Sequence, residues 1–269
     1  MSSGGLEKVI TELAWFFAKQ NNVQTTVVCL SRGEVFFALP QEVDVYIPPF
    51  SIKEILRPVF LVKLLLWLRR TISIIRPDSL LSFGGRFNSF VLISVFALPI
   101  RTFISDRSRP SISYGALLDR LNTIMYKKAT GIIAQTERAR DLMLKRFNNK
   151  NIRVIGNPIN IKISPEISRM NIILNVGRFI NSKQQDLLVR IFAEINPQGW
   201  MLCLVGDGQT AEKVKSTARE LNIDNKVVFE GIVKNIGEYY CKSKIFAFTS
   251  VSEGFPNALG EAMAAELAC

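Results

Sequence analysis

Short apolar runs alternate along the chain with longer segments in which apolar residues recur every three or four positions. The first pattern predicts buried β-strands, and the second predicts amphipathic α-helices. Predicted strands cover residues 23–30, 78–83, 100–105, 131–134, 152–155, 171–176, 200–205, 226–229 and 245–249. Predicted helices cover residues 6–19, 52–75, 114–128, 136–147, 184–195, 209–222 and 257–267. This alternation predicts an α/β protein with parallel sheets.

One segment interrupts the alternation and predicts a domain boundary. Asn, Pro and Ser cluster in residues 156–170, between two predicted strands, as is typical of a connecting loop. We therefore expect an N-terminal domain over residues 1–157 and a C-terminal domain over residues 158–269. A chain of 269 residues is long enough for two domains of ordinary size.

Both ends of the sequence depart from the pattern. Gly4 and Gly5 lead directly into a predicted helix, whereas a strand–glycine loop–helix unit would begin with an apolar strand. The last predicted helix reaches the end of the sequence without a stop signal. We therefore expect a truncated chain, which lacks a first strand and the remainder of the C-terminal domain.

The net charge of +11 is concentrated in the first part of the chain. Residues 1–150 carry 21 Lys and Arg against 11 Asp and Glu, whereas residues 151–269 carry 13 against 12. A basic domain of this kind favours an anionic partner. Because the sequence has no nucleic-acid-binding motif, we expect a phosphorylated substrate or an anionic membrane surface rather than nucleic acid.

The absence of histidine limits the chemistry that this chain can perform. With no His, Ser-His-Asp catalysis, Cys-His catalysis and imidazole metal sites are excluded. The four cysteines are scattered without a Cys-x-x-Cys pair. Their spacing indicates neither a metal site nor a disulfide framework, and it suits the reducing cytoplasm, where we expect the protein to reside.

Residues 52–77 combine aliphatic residues and Trp67 with a group of cations. These cations include Arg57, Lys63, Arg69, Arg70 and Arg76. A basic amphipathic helix can lie on an anionic membrane. It can also cover a sheet with its arginines directed toward water, and the pattern leaves both interpretations open.

Two strand–loop–helix units in the C-terminal half carry charges where a ligand would bind. Arg178 and Lys183 follow one strand. Glu253 lies in the loop after another strand, and Glu261 lies in the helix that follows this loop. Asn257 is the expected N-cap of that helix. Loops at the carboxyl ends of parallel strands line the ligand crevice of an open sheet. There, cations can bind a diphosphate and carboxylates can accept hydrogen bonds from sugar hydroxyls. The alternative is that these residues are solvated charges, with Glu261 complementing the helix dipole.

A further unit between these two matches a dinucleotide-binding fingerprint. Gly206, Gly208 and Ala211 have the Gly-x-Gly-x-x-Ala spacing, and Asp224 lies at a suitable distance. This would indicate an NAD-dependent oxidoreductase. However, the loop belongs to a middle βα unit, and no downstream residues indicate a nicotinamide pocket. A tight strand–helix turn also explains the glycines.

Taken in order, these motifs resemble those of the family 4 glycosyltransferases. The segment SEGFPNALGEAMA is similar to the paired-glutamate motif of the family, and SSGGLEKVITELA resembles its glycine loop and first helix. The segments GIIAQTERARDLM, VIGNPIN, VGRFINSK, LVGDG and VVFEGIV match in order and spacing. The resemblance covers nearly the whole chain. It implies the GT-B fold, with two Rossmann-like domains facing across a cleft, and a retaining reaction.

The resemblance also implies roles for individual residues. Arg178 and Lys183 would bind the donor diphosphate, and Glu253 would contact the transferred sugar; we expect these three to be catalytic. The other implied donor-binding residues are Gly4, Gly5, Gly177, Glu230, Val233, Gly254, Phe255 and Glu261. Acceptor candidates at predicted strand ends are Arg86, Asp106, Arg107 and Arg109.

The segments SGGLEKV and SDRSRP look most like transferases that extend lipid-diphosphate-linked oligosaccharides for cell-surface glycans. We therefore expect a hexosyltransferase that moves a hexosyl or N-acetylhexosaminyl group from a nucleotide-diphosphate sugar to a lipid-linked saccharide. Its expected partners are these two substrates and the inner face of the cytoplasmic membrane. No cofactor or metal is implied, because the chain has no Asp-x-Asp motif. Several relatives have a histidine near the position of Arg107, which this chain lacks. The alternatives are an inactive fragment of such an enzyme and, less favoured, the NAD-dependent oxidoreductase.

Overall fold

The structure is a computed structural model that describes residues 5–32, 37–107, 112–161 and 168–269. It divides into two compact units, Met1–Pro158 and Ile159–Cys269. Each unit is built on parallel strands connected through helices.

In its described residues, the first unit contains two parallel sheets. The smaller sheet pairs β1 (Thr26–Val28) with β2 (Asp44–Tyr46). The strands of the larger sheet are β3 (Ser79–Phe83), β4 (Arg101–Ser105), β5 (Gly131–Ala134) and β6 (Ile152–Val154). They pair in that order and all run parallel. Their carboxyl ends therefore lie along one edge of the sheet.

Helices connect and cover these strands. They are α1 (Gly5–Ala18), α2 (Arg57–Ile75), α3 (Asn88–Ser94), α4 (Ala116–Met125) and α5 (Glu137–Phe147). The start of α5 is capped by Thr136, whose side chain accepts a hydrogen bond from the Ala139 amide at 3.1 Å. The apolar side of α5 buries Met143 and Phe147 against the larger sheet. No helix in the described part of the chain is long and apolar enough to cross a bilayer.

A buried asparagine connects the end of β4 to its neighbours. The Asn88 side chain accepts a hydrogen bond from the Ser82 hydroxyl at 2.9 Å. Its Nδ2 atom lies 3.2 Å from the Ser105 carbonyl and 3.1 Å from the Tyr126 hydroxyl. Asn88 and Tyr126 are both completely buried. Because buried polar groups are costly when unpaired, this network fixes the relative positions of β3, β4 and α3.

The second unit contains a sheet of parallel strands. They are β7 (Ile172–Val176), β8 (Met201–Val205), β9 (Val227–Gly231) and β10 (Ile245–Phe246), in the spatial order β10-β7-β8-β9. Its helices are α6 (Gln185–Ile195), α7 (Ala211–Glu220), α8 (Gly237–Lys242) and α9 (Asn257–Ala264).

The strand β8 is buried on both faces. Leu202 and Leu204 pack in a cluster with residues of α6 and α7. Cys203 and Val205 point the other way and pack in a cluster with residues of α8 and α9. This burial explains why β8 is a continuous apolar run rather than an alternation of apolar and polar residues.

Arg169, just before β7, links the ends of two helices. Its Nη1 atom donates to the Ser243 carbonyl at 2.7 Å, where α8 ends, and its Nη2 atom donates to the Ala265 carbonyl at 2.6 Å, where α9 ends. These carbonyls lack a partner within their own helices. A cation at the negative end of each helix dipole is also favourable.

The sequence-based prediction missed one strand and two α-helices of the described chain. The strand β2 has only three residues, all of them exposed, and is shorter than the four to eight residues over which alternation indicates a strand. The helix α3 lies in a continuous apolar run, for which periodicity does not distinguish a helix from a strand. The helix α8 has only six residues, fewer than two turns.

Candidate active site

Two glycines after β8 allow the loops after β7 and β8 to approach each other closely. Gly206 has φ +133°, and its amide donates to the Gly231 carbonyl at 2.8 Å. A Cβ atom on Gly206 would collide with the carbonyl oxygen of Gly177, and one on Gly208 would lie 2.5 Å from the carbonyl oxygen of Phe179. The glycines of the dinucleotide-like fingerprint therefore pack against protein backbone in this structure.

The loop after β7 carries both predicted cations. The Arg178 side chain is exposed, while its backbone carbonyl accepts a hydrogen bond from Nε2 of the buried Gln185 at 3.1 Å. Lys183 ends a short 3₁₀ turn, and its side chain extends back along Gly177. Gln185 thus fixes the loop while Arg178 remains accessible.

Lys183 and Glu253 form an ion pair, although they are 70 residues apart in the chain. Lys183 Nζ donates to Glu253 Oε1 at 2.5 Å, and each side chain is 22% exposed. The Phe248 ring lies beside the ammonium group, with its centroid 5.9 Å from Nζ. The Thr249 hydroxyl donates to the Lys183 carbonyl at 2.9 Å and ties the two loops together. The ion pair is partly desolvated but still reachable from solvent, so it can exchange partners with a polar ligand.

Glu261 is buried in α9 and is held by Tyr240 of α8. The Tyr240 hydroxyl donates to Glu261 Oε2 at 3.1 Å and lies 3.2 Å from the Ala258 carbonyl. The pKa of Tyr240 is raised, mainly by burial and to a smaller extent by the charge of Glu261. The phenol therefore stays protonated and acts as the donor to the carboxylate. Tyr240 thus holds the Glu261 carboxylate in place within the second unit.

The expected capping role of Asn257 is wrong. The helix α9 begins at Asn257 itself, and Pro256 occupies the N-cap position without a side-chain cap hydrogen bond. Proline has no side-chain hydrogen-bonding group, and the Asn257 amide instead donates to the Phe255 carbonyl at 3.0 Å. Gly254 and Phe255 form the partly buried turn before this helix.

Glu230 and Val233 lie in and just after β9. The exposed Glu230 lines a cavity of about 280 Å³ together with Cys203 and Tyr239. The pKa of Cys203 is raised to about 12, mainly by burial and to a smaller extent by the charge of Glu230. Burial and the hydrogen bond to Glu230 raise the pKa of Tyr239. Val233 packs against the apolar cluster beneath α8 and α9. The Glu230 side chain therefore lies on a face of the sheet and not beside Lys183.

In the first unit, three of the acceptor candidates lie at the carboxyl ends of β3 and β4. The Arg86 guanidinium is 5.7 Å from the Tyr114 ring centroid, and the Arg107 guanidinium is 5.2 Å from the Phe83 ring centroid. The Asp106 carboxylate accepts a hydrogen bond from the Tyr114 hydroxyl at 3.4 Å. Aromatic rings therefore position both arginines.

The remaining predicted site residues lie near the start of the chain or outside the described residues. Gly5 begins α1, whereas Gly4 and Arg109 lie outside the described residues. Tyr240, Phe248 and Tyr114 support the predicted residues but belong to none of the motifs, so the sequence gives no signal for them. Within the described ranges, no group of three or more Cys, Asp or Glu side chains is placed to hold a metal ion.

Two family models match this chain. The model described as Glycosyltransferase Family 4 matches residues 3–163, and the model described as Glycosyl transferases group 1 matches residues 170–269.

Curated relatives match along almost the full sequence. The amylovoran biosynthesis glycosyltransferase AmsD of Erwinia amylovora is 26% identical, over 97% of this chain and 75% of that protein. A Campylobacter jejuni enzyme named N-acetylgalactosamine-N,N'-diacetylbacillosaminyl-diphospho-undecaprenol 4-alpha-N-acetylgalactosaminyltransferase is 26% identical, over 100% of this chain and 77% of that enzyme.

The fold is similar to that of a solved structure. Anabaena HepE in complex with UDP-glucose aligns with a TM-score of 0.82 and 18% identity, over 99% of this chain and 76% of that structure. At this level of identity, the likeness concerns the fold. It confirms the GT-B class that the sequence motifs implied.

Proposed function

The chain belongs to glycosyltransferase family 4, and from this premise we propose that it transfers a hexosyl or N-acetylhexosaminyl group, with retention of configuration, from a nucleotide-diphosphate sugar to a lipid-linked saccharide. The observation that carries this proposal is the Lys183–Glu253 pair, a cation and a carboxylate held 2.5 Å apart by loops after β7 and β10. A diphosphate and a sugar hydroxyl are the natural partners of these two groups.

The proposed reaction needs no protein base. The bond between donor C1 and the diphosphate oxygen breaks, and the acceptor oxygen bonds to C1 on the same face. The acceptor proton passes to the leaving diphosphate oxygen. Lys183 and Arg178 would stabilise the charge that develops on this diphosphate, Glu253 would orient the sugar, and Glu261 would bind the ribose. A chain without histidine is compatible with this scheme.

The relatives suggest which substrates to test first. HepE was solved with UDP-glucose, and the name of the Campylobacter jejuni relative specifies a diphospho-undecaprenol acceptor. We therefore propose a UDP-sugar as donor and a polyprenyl-diphosphate-linked saccharide as acceptor.

A donor screen tests the function and its stereochemistry together. The purified chain is incubated with a polyprenyl-diphosphate disaccharide and, in turn, UDP- and GDP-linked hexoses and N-acetylhexosamines. We expect one UDP-sugar to release UDP in an acceptor-dependent manner, and NMR of the product to show an α-linkage from an α-configured donor. A β-linked product would contradict retention. No release from any donor would contradict transferase activity of this chain.

The helix α2 has an exposed stripe that supports peripheral contact with a membrane. Val59, Val62 and Leu66 are 45%, 60% and 59% exposed, and Lys63 and Arg70 are also exposed. The spacing of these residues places them along one side of the helix. Apolar side chains interleaved with cations are suited to an anionic bilayer surface.

The opposite side of α2 packs inside the first unit. Leu68 and Ile72 are buried there, and Trp67 packs against the same cluster. Arg69 donates to the Ser94 and Phe96 carbonyls at 3.0 and 2.9 Å. Trp67 and Arg69 therefore cover the core, and the proposed membrane contact concerns only the exposed stripe of the helix.

Removing the two cations of the stripe should weaken binding to anionic vesicles. Each basic residue near an anionic surface contributes about 1 kcal/mol, so Lys63→Gln with Arg70→Gln should lower partitioning by about 30-fold. Partitioning onto neutral vesicles should change little. The control combines Lys213→Gln with Arg219→Gln, which removes two exposed cations from the polar face of α7. Vesicle co-sedimentation measures the effect, and an equal loss in both double variants would contradict the membrane role of α2.

A further inference from the structure

Arg107 is a partly buried cation, two of whose side-chain nitrogens have no hydrogen-bond partner among the described residues. Its Nε and Nη1 atoms are buried and have no hydrogen-bond partner in the described part of the chain. Its guanidinium stacks over the Phe83 ring at 5.2 Å. Burial lowers the pKa of Arg107 to about 10. A charged group that loses water without gaining a partner is costly. A guanidinium at this position is therefore better explained by binding of a ligand than by a contribution to stability.

The same edge of the sheet carries a second cation and a glycine turn, both just after β3. Arg86 lies over the Tyr114 ring, with its guanidinium 5.7 Å from the ring centroid. A Cβ atom on Gly85 would collide with the Asp106 carboxylate and would lie 2.5 Å from the Tyr114 ring. The Asp106 carboxylate accepts a hydrogen bond from the Tyr114 hydroxyl. The carboxyl ends of the neighbouring strands β3 and β4 are therefore each followed by an arginine.

Buried amides hold this turn in place. Asn122 Nδ2 donates to the Gly85 carbonyl at 3.0 Å, and the Ser89 hydroxyl donates to Asn122 Oδ1 at 2.5 Å. Asn88 Nδ2 donates to the Ser105 carbonyl, two residues before Arg107. Both asparagines are at least 98% buried. The backbone around the two arginines is thus preorganised, as a binding site for a rigid anion requires.

From this arrangement, we infer that the carboxyl ends of β3 and β4 form a phosphoryl-oxyanion site in which Arg107 is the principal ligand and Arg86 the second. A guanidinium presents several N–H donors to phosphate oxygens, and the unpartnered Nε and Nη1 atoms of Arg107 would gain acceptors. This inference rests on the proposed function, which supplies two phosphorylated substrates. The oxyanion belongs either to the acceptor diphosphate or to the donor diphosphate.

Binding of inorganic pyrophosphate tests the site without requiring turnover. Every protein in this experiment carries Lys183→Met, so that the proposed donor site contributes little to pyrophosphate binding. We expect pyrophosphate to raise the Tm of this parent. Arg107→Met should weaken its binding by about tenfold or more, and Arg101→Met, at the exposed amino end of the same strand, should not change it. Without ligand, Arg107→Met should raise the Tm because it removes a partly buried charge with two unpartnered nitrogens. Should that variant not fold, Arg107→Lys keeps the charge but loses the planar fork, and it should bind more weakly than the parent. Equal binding by parent and Arg107 variants, or no binding by the parent, would overturn the site.

Steady-state kinetics with Lys183 intact then distinguish the two sources. The comparison is between Arg107→Met and the unmodified chain. If Arg107→Met raises the KM for acceptor by about tenfold or more and leaves the KM for donor unchanged, the oxyanion belongs to the acceptor. The reverse result would assign it to the donor, and no change in either KM would overturn the link to substrate. If the chain has no transferase activity, the proposed function fails while the pyrophosphate result still decides whether the anion site exists.

Discussion

Lys183→Met is expected to lower kcat by about 10²–10³-fold, because one charge-assisted contact to the developing charge in a closed site contributes about 2.7–4 kcal/mol. The ammonium group is the partner of Glu253 in the structure and would face the leaving diphosphate in the reaction. The KM for donor should change less than kcat, because this contact strengthens as charge develops on the diphosphate. Initial rates at saturating acceptor, measured over a range of donor concentrations, provide both constants.

A second lysine–glutamate pair provides the control for this experiment. Lys215 and Glu212 lie 2.8 Å apart on α7, with side chains 37% and 80% exposed. Lys215→Met removes a similar contact on a solvated helix and should leave kcat unchanged.

A double-mutant cycle separates two roles of Lys183. If Lys183 only orients Glu253, the variant with both Lys183→Met and Glu253→Gln should be no slower than Glu253→Gln alone. If Lys183 acts on the diphosphate, the double variant should be slower. An unchanged kcat in Lys183→Met would contradict the proposed clamp outright.

Gly206→Ala is expected to destabilise the second unit severely. Its φ of +133° is unfavourable for alanine, at roughly 1–3 kcal/mol, and the added Cβ would overlap the Gly177 carbonyl oxygen, which adds roughly 1–3 kcal/mol of overpacking. We therefore expect the free energy of unfolding in urea to fall by about 2–6 kcal/mol. The displaced Gly177 would also shift the loop that carries Lys183, so the KM for donor should rise.

Gly199→Ala isolates the backbone contribution. Gly199 also has a positive φ, +72°, but a Cβ atom there would meet nothing within 4 Å. Its loss should be about 1–2 kcal/mol. Similar losses in the two variants would show that Gly206 is required for its φ alone and that the close approach of the loops is not a constraint.

The sequence predicted the α/β class better than it predicted how the proposed site residues are arranged. Strand and helix periodicity located most elements because the buried faces of this fold repeat regularly. The motifs identified Lys183 and Glu253, but periodicity does not report a contact between loops 70 residues apart. The roles of these residues stay predictions that the kinetic experiments address.

The differences have identifiable physical causes. Gly206 and Gly208 matched a nucleotide fingerprint, although both glycines also satisfy close backbone approaches that no local pattern encodes. Pro256 displaced the expected cap of α9 by one residue. The exposed side of α2 could not be separated from its packed side by composition, because apolar residues occupy both.

Arg169 couples the local unfolding of α8 to that of α9, because one guanidinium binds the ends of both helices. Neither α8 nor α9 can fray fully at its last carbonyl without losing a contact to the same guanidinium. Amide hydrogen exchange at the two helix ends should therefore slow or quicken together, as in one cooperative unit. Tyr240 and Glu261 belong to these two helices, so the buried carboxylate and its phenol partner become exposed to solvent in the same opening event.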